Sequence, residues 1–166
     1  GRIDLPADDN LADNSAFFVF DDPAPRLTAI VSDDSSVAEA IRAVVTSPVE
    51  SGTNYEALIV SPSALVTIPW DRVALLCWQA ALPEAGSNAA TLLEQHLTAG
   101  RSLVFFPPAG AGGATFLGAN WGDWQDESTA PVAVTWWRTE AGLLANTRNG
   151  AALPAGDWRI LRHRPF

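Results

Sequence analysis

From residue 27 onward the chain alternates between unbroken apolar runs and amphipathic stretches. "LTAIVS" (27–32) is apolar almost throughout, the pattern of a strand buried on both faces of a parallel sheet. In "SSVAEAIRAVVTS" the residues Val37, Ala40, Ile41, Val44 and Val45 recur at helical spacing. Ser36 and Glu39 offer a capping box for the start of that helix. "YEALIVSP" predicts a second strand, "SALVTIPWD" an irregular or single-turn crossover, and "RVALLCW" a third strand. "NAATLLEQHLTAG" predicts a second helix with Ala89, Leu92, Leu93 and Leu97 facing inward and Gly100 as its stop. "SLVFFP" is the fourth strand.

This alternation predicts an α/β fold, a mainly parallel sheet flanked by helices, flavodoxin-like in order with the first strand central. Residues 27–166 are expected to form that domain. The pattern changes after Pro108, and from about residue 109 a β-rich C-terminal extension is expected. "PVAVTWW", "LLANTR" and "DWRILRHRP" read as its short strands, the first two joined by the turn "RTEAG". Residues 1–26 read as an extended N-terminal arm or the tail of a preceding β domain. They hold the acidic "LPADDNLADN", a short strand "SAFFVF" and the breaker "DDPAPR".

Length and composition narrow the class. A chain of 166 residues, 48% of them hydrophobic, is long and apolar enough for one domain with a real core. No apolar run approaches the roughly 20 residues that span a bilayer. The chain begins at Gly1 and has no methionine, so it is expected to be a piece whose targeting or anchoring segment lies elsewhere. Acidic residues outnumber basic ones by 19 to 10, and all the basic ones are arginine. Without lysine there is no Walker lysine, Schiff base or lysine general base. Scattered arginines on an acidic chain leave no electrostatic footprint for nucleic acid. Cys77 is the single cysteine, so no internal disulfide forms.

Three loops lie where a doubly wound sheet binds ligands, beyond the carboxyl ends of its strands. After the first strand, Asp33 and Asp34 could hold magnesium, but a receiver-type site also needs an acid ending the third strand and a lysine. Here that strand ends in Cys77, Trp78 and Gln79. Helix capping by Asp33, Asp34, Ser35 and Ser36 is the favoured reading, and no metal or cofactor is expected. After the third strand, Cys77 needs a base, and the candidates are His96 and His163. A thiol inside an apolar strand is normally buried and inert. After the fourth strand, Pro107 and Pro108 open a loop in which Gly110 and Gly112 begin a G-x-G-x-x-G pattern. Thr115 stands where its last glycine belongs, so Gly110, Gly112 and Gly113 read as a rim loop rather than a phosphate cradle. Seven tryptophans are many for this length. Packing is their usual role, and Trp121 and Trp124, which flank a loop, are the candidates for a binding platform.

"LPADDNLADNSAFFVF…PRLTAIVSDD", "VALLCWQAALP", "LLEQHLTAGRSLVFFPP" and "WRTEAGLLANTRNGAALPAGDWRILRHRP" together resemble the BatA-like bacterial membrane proteins with an N-terminal double-transmembrane segment. In these an Ig-like or similar segment precedes a class I glutamine amidotransferase-like domain. The resemblance implies a domain of that class in a membrane-anchored envelope protein, facing the periplasm. Its implied partners are other envelope proteins or domains of the same chain, and its contact with the membrane runs only through other segments. Working amidotransferases place a cysteine in a G-x-C-x-G elbow after the strand matching "SLVFFP" and a His-x-Glu pair near the C-terminus. Here Pro107 and Pro108 hold the elbow, His163 is followed by Arg164 and Pro165, and Cys77 lies one strand early. A proline supplies neither a nucleophile nor an N–H for an oxyanion. The expected protein is therefore not an enzyme but an interaction or ligand-sensing module. Its candidate rim is Asp33, Asp34, Gln79, Pro107, Pro108, Gly110, Gly112, Gly113, Trp121 and Trp124. The alternative is a hydrolase or carbohydrate-active enzyme using Asp33, Asp34 or His96, with the tryptophans as its platform.

Overall fold

The computed structural model describes residues 2–4, 6, 15–19, 26–47, 54–141, 144–147 and 150–166. Its centre is a four-stranded parallel sheet of order β4-β3-β5-β6, formed by β3 (Arg26–Ser32), β4 (Tyr55–Val60), β5 (Val73–Gln79) and β6 (Ser102–Phe105). The first of these strands lies inside the sheet, as the alternation predicts. Six paired positions join β3 to β4 and six join it to β5, with a register shift between Leu27 and Thr28.

Handedness distributes the crossovers. The step from β3 to β4 runs one way along the sheet, and the steps to β5 and then β6 run the other way. Right-handed crossovers therefore place α1 (Ser35–Val45) on one face, and a 3-10 helix (Pro62–Thr67) with α2 (Asn88–Thr98) on the opposite face. Side chains of the strands alternate accordingly. Ala29, Val31, Leu76 and Trp78 pack with Leu65, Ala90 and Leu93, while Ile30 and Cys77 pack with Ala38 and Ile41. Leu76, Leu93 and Ile30 are fully enclosed. Each such side chain contributes about 1.5–3 kcal/mol over its exposed state.

The helices differ from expectation in detail. The cap of α1 is Asp34, whose Oδ1 accepts from the backbone N–H groups of Ser36 and Val37 at 2.9 and 3.2 Å. Ser36 lies inside the helix, and Glu39 bonds Arg42 instead of closing a capping box. A carboxylate cap also complements the helix dipole, which a serine cannot do. Ala38 is buried, whereas Ala40 and Val44 are exposed, because α1 alone crosses that face among the described residues. On α2, Ala90 rather than Ala89 is fully buried, and His96 joins Leu93 in the core. Gly100, at φ +74°, supplies the predicted stop.

Two further pairings follow Pro108. The strand β7 (Gln125–Asp126) pairs antiparallel with β10 (Arg162–His163), and β8 (Val132–Ala133) with β9 (Arg159–Ile160). The expected hairpin through "RTEAG" is not how β8 pairs: its partner comes from the C-terminal segment. Residues 144–147, the described part of "LLANTR", contain no strand. Near the N-terminus, β1 (Arg2–Asp4) pairs with β2 (Ser15–Phe17), and all six residues are exposed. Most of "LPADDNLADN" and of "DDPAPR" lies outside the described residues. No helix among the described residues is long and apolar enough to cross a membrane.

Candidate functional site at the carboxyl edge of the sheet

The crevice between β3 and β5 is where the direction of the crossovers reverses, the usual ligand position in such sheets. Here the protein's own side chains fill it. Ser32 ends β3 and Gln79 ends β5, and they are 7% and 1% exposed. The Ser32 hydroxyl lies 2.5 Å from Gln79 Oε1 and 2.8 Å from the Asp34 carbonyl, and it accepts from the Asp34 N–H at 2.9 Å. Gln79 Nε2 donates to the Pro107 carbonyl at 3.2 Å. Both polar ends of Gln79 are thus committed, and its expected place on an open rim becomes a buried tie between three strand ends.

The end of β6 is built the same way. Phe106 N–H completes the ladder with the Trp78 carbonyl at 2.8 Å, and Pro107 and Pro108 then interrupt the supply of donors. Pro108 is fully buried. Its carbonyl accepts from Trp124 Nε1 at 3.2 Å and from Arg164 Nη1 at 2.9 Å. Arg164 also bonds the Gly110 carbonyl at 2.7 Å and the Gly122 carbonyl at 2.5 Å. The C-terminal segment is therefore laced over the end of β6 by one guanidinium.

The predicted residues separate into groups. Asp34, Gln79, Pro107 and Trp124 come together with Val37, Phe106, Ala109 and Arg162 around a cavity of about 200 Å³. Asp33 is exposed and does not line it. Gly110 is held only through its carbonyl. Gly112 and Gly113 dock on the loop after β5: Leu82 N–H donates to the Gly112 carbonyl at 2.8 Å, and Ala114 N–H to the Leu82 carbonyl at 3.1 Å. A Cβ at Gly113 would sit 2.3 Å from the Leu82 backbone, which explains glycine there better than any phosphate does. Trp121 packs against Phe166 with ring centroids 4.3 Å apart, so it serves as packing rather than platform. After Gly113 no helix follows. The chain makes a Phe116–Ala119 hairpin turn with positive φ at Leu117 and Gly118.

Arg162 and Arg164 are not among the expected site residues. Arg162 lies over the Trp124 ring, 4.2 Å from its centroid, and Arg164 lies 5.8 Å from it. The alternation of arginines in "RILRHRP" carries the signal, because residues two apart on a strand share a face.

The candidate catalytic groups do not converge. Cys77 faces α1, and burial pushes its thiol up to about 11. His96 is on α2, across the sheet. It also sits at the amino edge, where Nε2 lies 3.0 Å from the carbonyl of Ser102, the first residue of β6. Through the register Ser102 is level with Leu75 and Thr28, so Asp33 and Asp34, five and six residues beyond Thr28, lie roughly 17–20 Å further along the strand direction at ~3.3 Å per residue. His163 is half-buried on β10, with Nδ1 3.9 Å from a Glu127 oxygen. No group of three or more His, Cys, Asp or Glu side chains among the described residues is arranged to hold a metal.

Comparison of the chain with family models, curated proteins and solved structures returns no match.

Proposed function

We propose that this chain is a non-catalytic amidotransferase-like domain, carried by a membrane-anchored bacterial envelope protein and facing the periplasm. It acts as an interaction or ligand-sensing module. The resemblance to BatA-like proteins supports the class and the location, and the strand order is compatible with it. The observation that carries the non-catalytic reading is the construction of the β6 end. Pro107 and Pro108 stand at the elbow, and their carbonyls are bound by Gln79, Trp124 and Arg164. Binding centres on the cavity beside that elbow, where Arg162 over Trp124 offers a cation and Asp34 an anion above the apolar floor of Val37 and Phe106. A hydrolase or carbohydrate-active enzyme using Asp33, Asp34 or His96 is the weaker reading: Asp33 and Asp34 lie at the carboxyl edge and His96 at the amino edge, so no pair of them shares a site.

The test is turnover by the purified chain: ammonia release from glutamine, and hydrolysis of activated esters and aryl glycosides. The expected result is no release above buffer. Turnover abolished by Asp34→Asn, Cys77→Ala or His96→Gln would overturn the proposal.

A further inference from the structure

Arg162 and Arg164 are two residues apart on the C-terminal segment and share a face, yet only one of them is spent. The Arg164 guanidinium is committed to the carbonyls of Pro108, Gly110 and Gly122. Arg162 is exposed and makes no hydrogen bond or ion pair among the described residues. Its cross-strand partner Asp126 turns its carboxylate to the Ser128 N–H instead, at 2.8 Å. What holds Arg162 is the Trp124 ring, whose centroid lies 4.2 Å from the guanidinium carbon and whose Nε1 is pinned to the Pro108 carbonyl. A ring face is no lone-pair acceptor, so the N–H donors of Arg162 stand beside the cavity without a protein acceptor.

Asp34 is the other charged residue on the wall of this cavity of about 200 Å³. It is half-buried, its Oδ1 accepts from the Ser36 and Val37 N–H groups, and its Oδ2 makes no hydrogen bond among the described residues. Gln79 is spent at both ends, on Ser32 and Pro107. The unspent groups are therefore a guanidinium and one carboxylate oxygen, and together they define a ligand. A guanidinium fork matches a carboxylate in two parallel bonds. The Asp34 charge opposes a doubly charged anion such as a phosphate monoester, and its free oxygen takes an N–H. Val37 and Phe106 add apolar wall. The volume is below the roughly 300–1,000 Å³ of pockets for drug-sized ligands, so a group of about one residue fills it.

On the reading that binding centres on this cavity, we propose that it takes a carboxylate whose α-carbon carries an amide N–H and an aliphatic side chain. The carboxylate pairs with Arg162, the N–H donates to Asp34 Oδ2, and the side chain lies on Val37 and Phe106. That chemistry belongs both to the C-terminal residue of a partner protein and to a free N-acylated amino acid.

The experiment follows the Trp124 indole N–H resonance, assigned with Trp124→Phe, while N-acetyl-leucine and the acetylated tripeptide Ala-Ala-Leu are titrated in turn into the chain. Acetate, a bare carboxylate, and N-acetyl-leucinamide, which lacks the charge, are the controls. The expected result is a saturable shift with N-acetyl-leucine and binding weaker by roughly tenfold or more for both controls. A peptide that binds more tightly than N-acetyl-leucine identifies a protein C-terminus as the source, and equal or weaker binding identifies the free acid. Arg162 is exposed and Asn is as good a helix cap as Asp, so both variants leave the fold intact. Arg162→Gln should weaken N-acetyl-leucine by roughly tenfold or more, and Asp34→Asn by roughly fivefold, the worth of one hydrogen bond. Three results overturn the proposal: no titrant gives a saturable shift, either control matches N-acetyl-leucine, or Arg162→Gln binds as the parent does. Turnover in the assays above bears on the non-catalytic reading alone, so the two failures are told apart.

Discussion

Replacing Gln79 with glutamate alters one atom in the crevice between β3 and β5, and its consequence can be worked from the geometry. The oxygen that replaces Nε2 would face the Pro107 carbonyl, acceptor against acceptor, at the 3.2 Å now spanned by a hydrogen bond. Only a protonated carboxyl can donate there, and at 1% exposure water cannot substitute. The folded state therefore holds the new acid protonated, with its pKa raised, while the unfolded chain ionises it near ~4.3. Unfolding releases a proton, so stability is intact below ~4.3 and falls by about 1.4 kcal/mol per pH unit above it. By pH 7 the loss reaches about 3.7 kcal/mol if the folded pKa lies higher still. Gln79→Leu is the control. It orphans the Pro107 carbonyl at a cost of about 1–3 kcal/mol, but that cost does not titrate. Urea midpoints measured from pH 4 to pH 8 separate the variants. If the glutamate variant parallels the parent across that range, its carboxylate reaches water and the crevice is not sealed as described.

The remaining expectations are simpler to read. Cys77 should resist iodoacetamide at pH 8 in the folded protein and react in urea. Because its folded pKa is raised to about 11 from 9.0, its contribution to stability should be complete below pH 9 and decline as pH rises through 11. Arg164→Ala should cost about 2–3 kcal/mol by loss of the bonds to three carbonyls, and faster amide exchange in 162–166 should accompany it. Leu117 adopts φ +51°, a region that strains a branched side chain, and it is 61% exposed, so Leu117→Asn should stabilise by about 1 kcal/mol in thermal melts.

The parallel sheet is legible in the sequence because its signal is strong and local. "LTAIVS", "YEALIV", "VALLCWQ" and "SLVF" are apolar runs of strand length, separated by helical periodicity or turn residues, the pattern of a parallel sheet covered on its faces, and the inner strands β3 and β5 are the ones it buries most. Ser36 reads as a cap because Asp34 and Ser36 both carry acceptors, and only backbone geometry decides between them. His96 is left out of the inward stripe of its helix because histidine scores as polar. A hydrogen bond to Ser102, invisible in the sequence, lets it enter the core. The pairing of β8 with β9 is illegible for another reason. Two-residue strands carry almost no periodicity, and residues 132 and 160 are brought together by packing rather than by a turn.

The candidate site shows the same limit in its sharpest form. Two consecutive prolines announce that a strand end lacks donors, and that much is in the sequence. They also leave two carbonyls near a buried edge, and buried carbonyls require partners. Those partners come from three places: Gln79 at the end of β5, Trp124 before β7, and Arg164 after β10. Each reads alone as an ordinary polar or aromatic residue, and only the requirement of the proline carbonyls joins them. The same coupling bears on chemistry. Placing a nucleophile at 107 or 108 would leave those three donors aimed at backbone that a reactive elbow must present differently. Installing a nucleophile elbow at this edge therefore demands changes at four separated positions, not one. On that physical ground the proline pair belongs to the architecture of the edge, and the open space beside it is the cavity between Trp124 and α1.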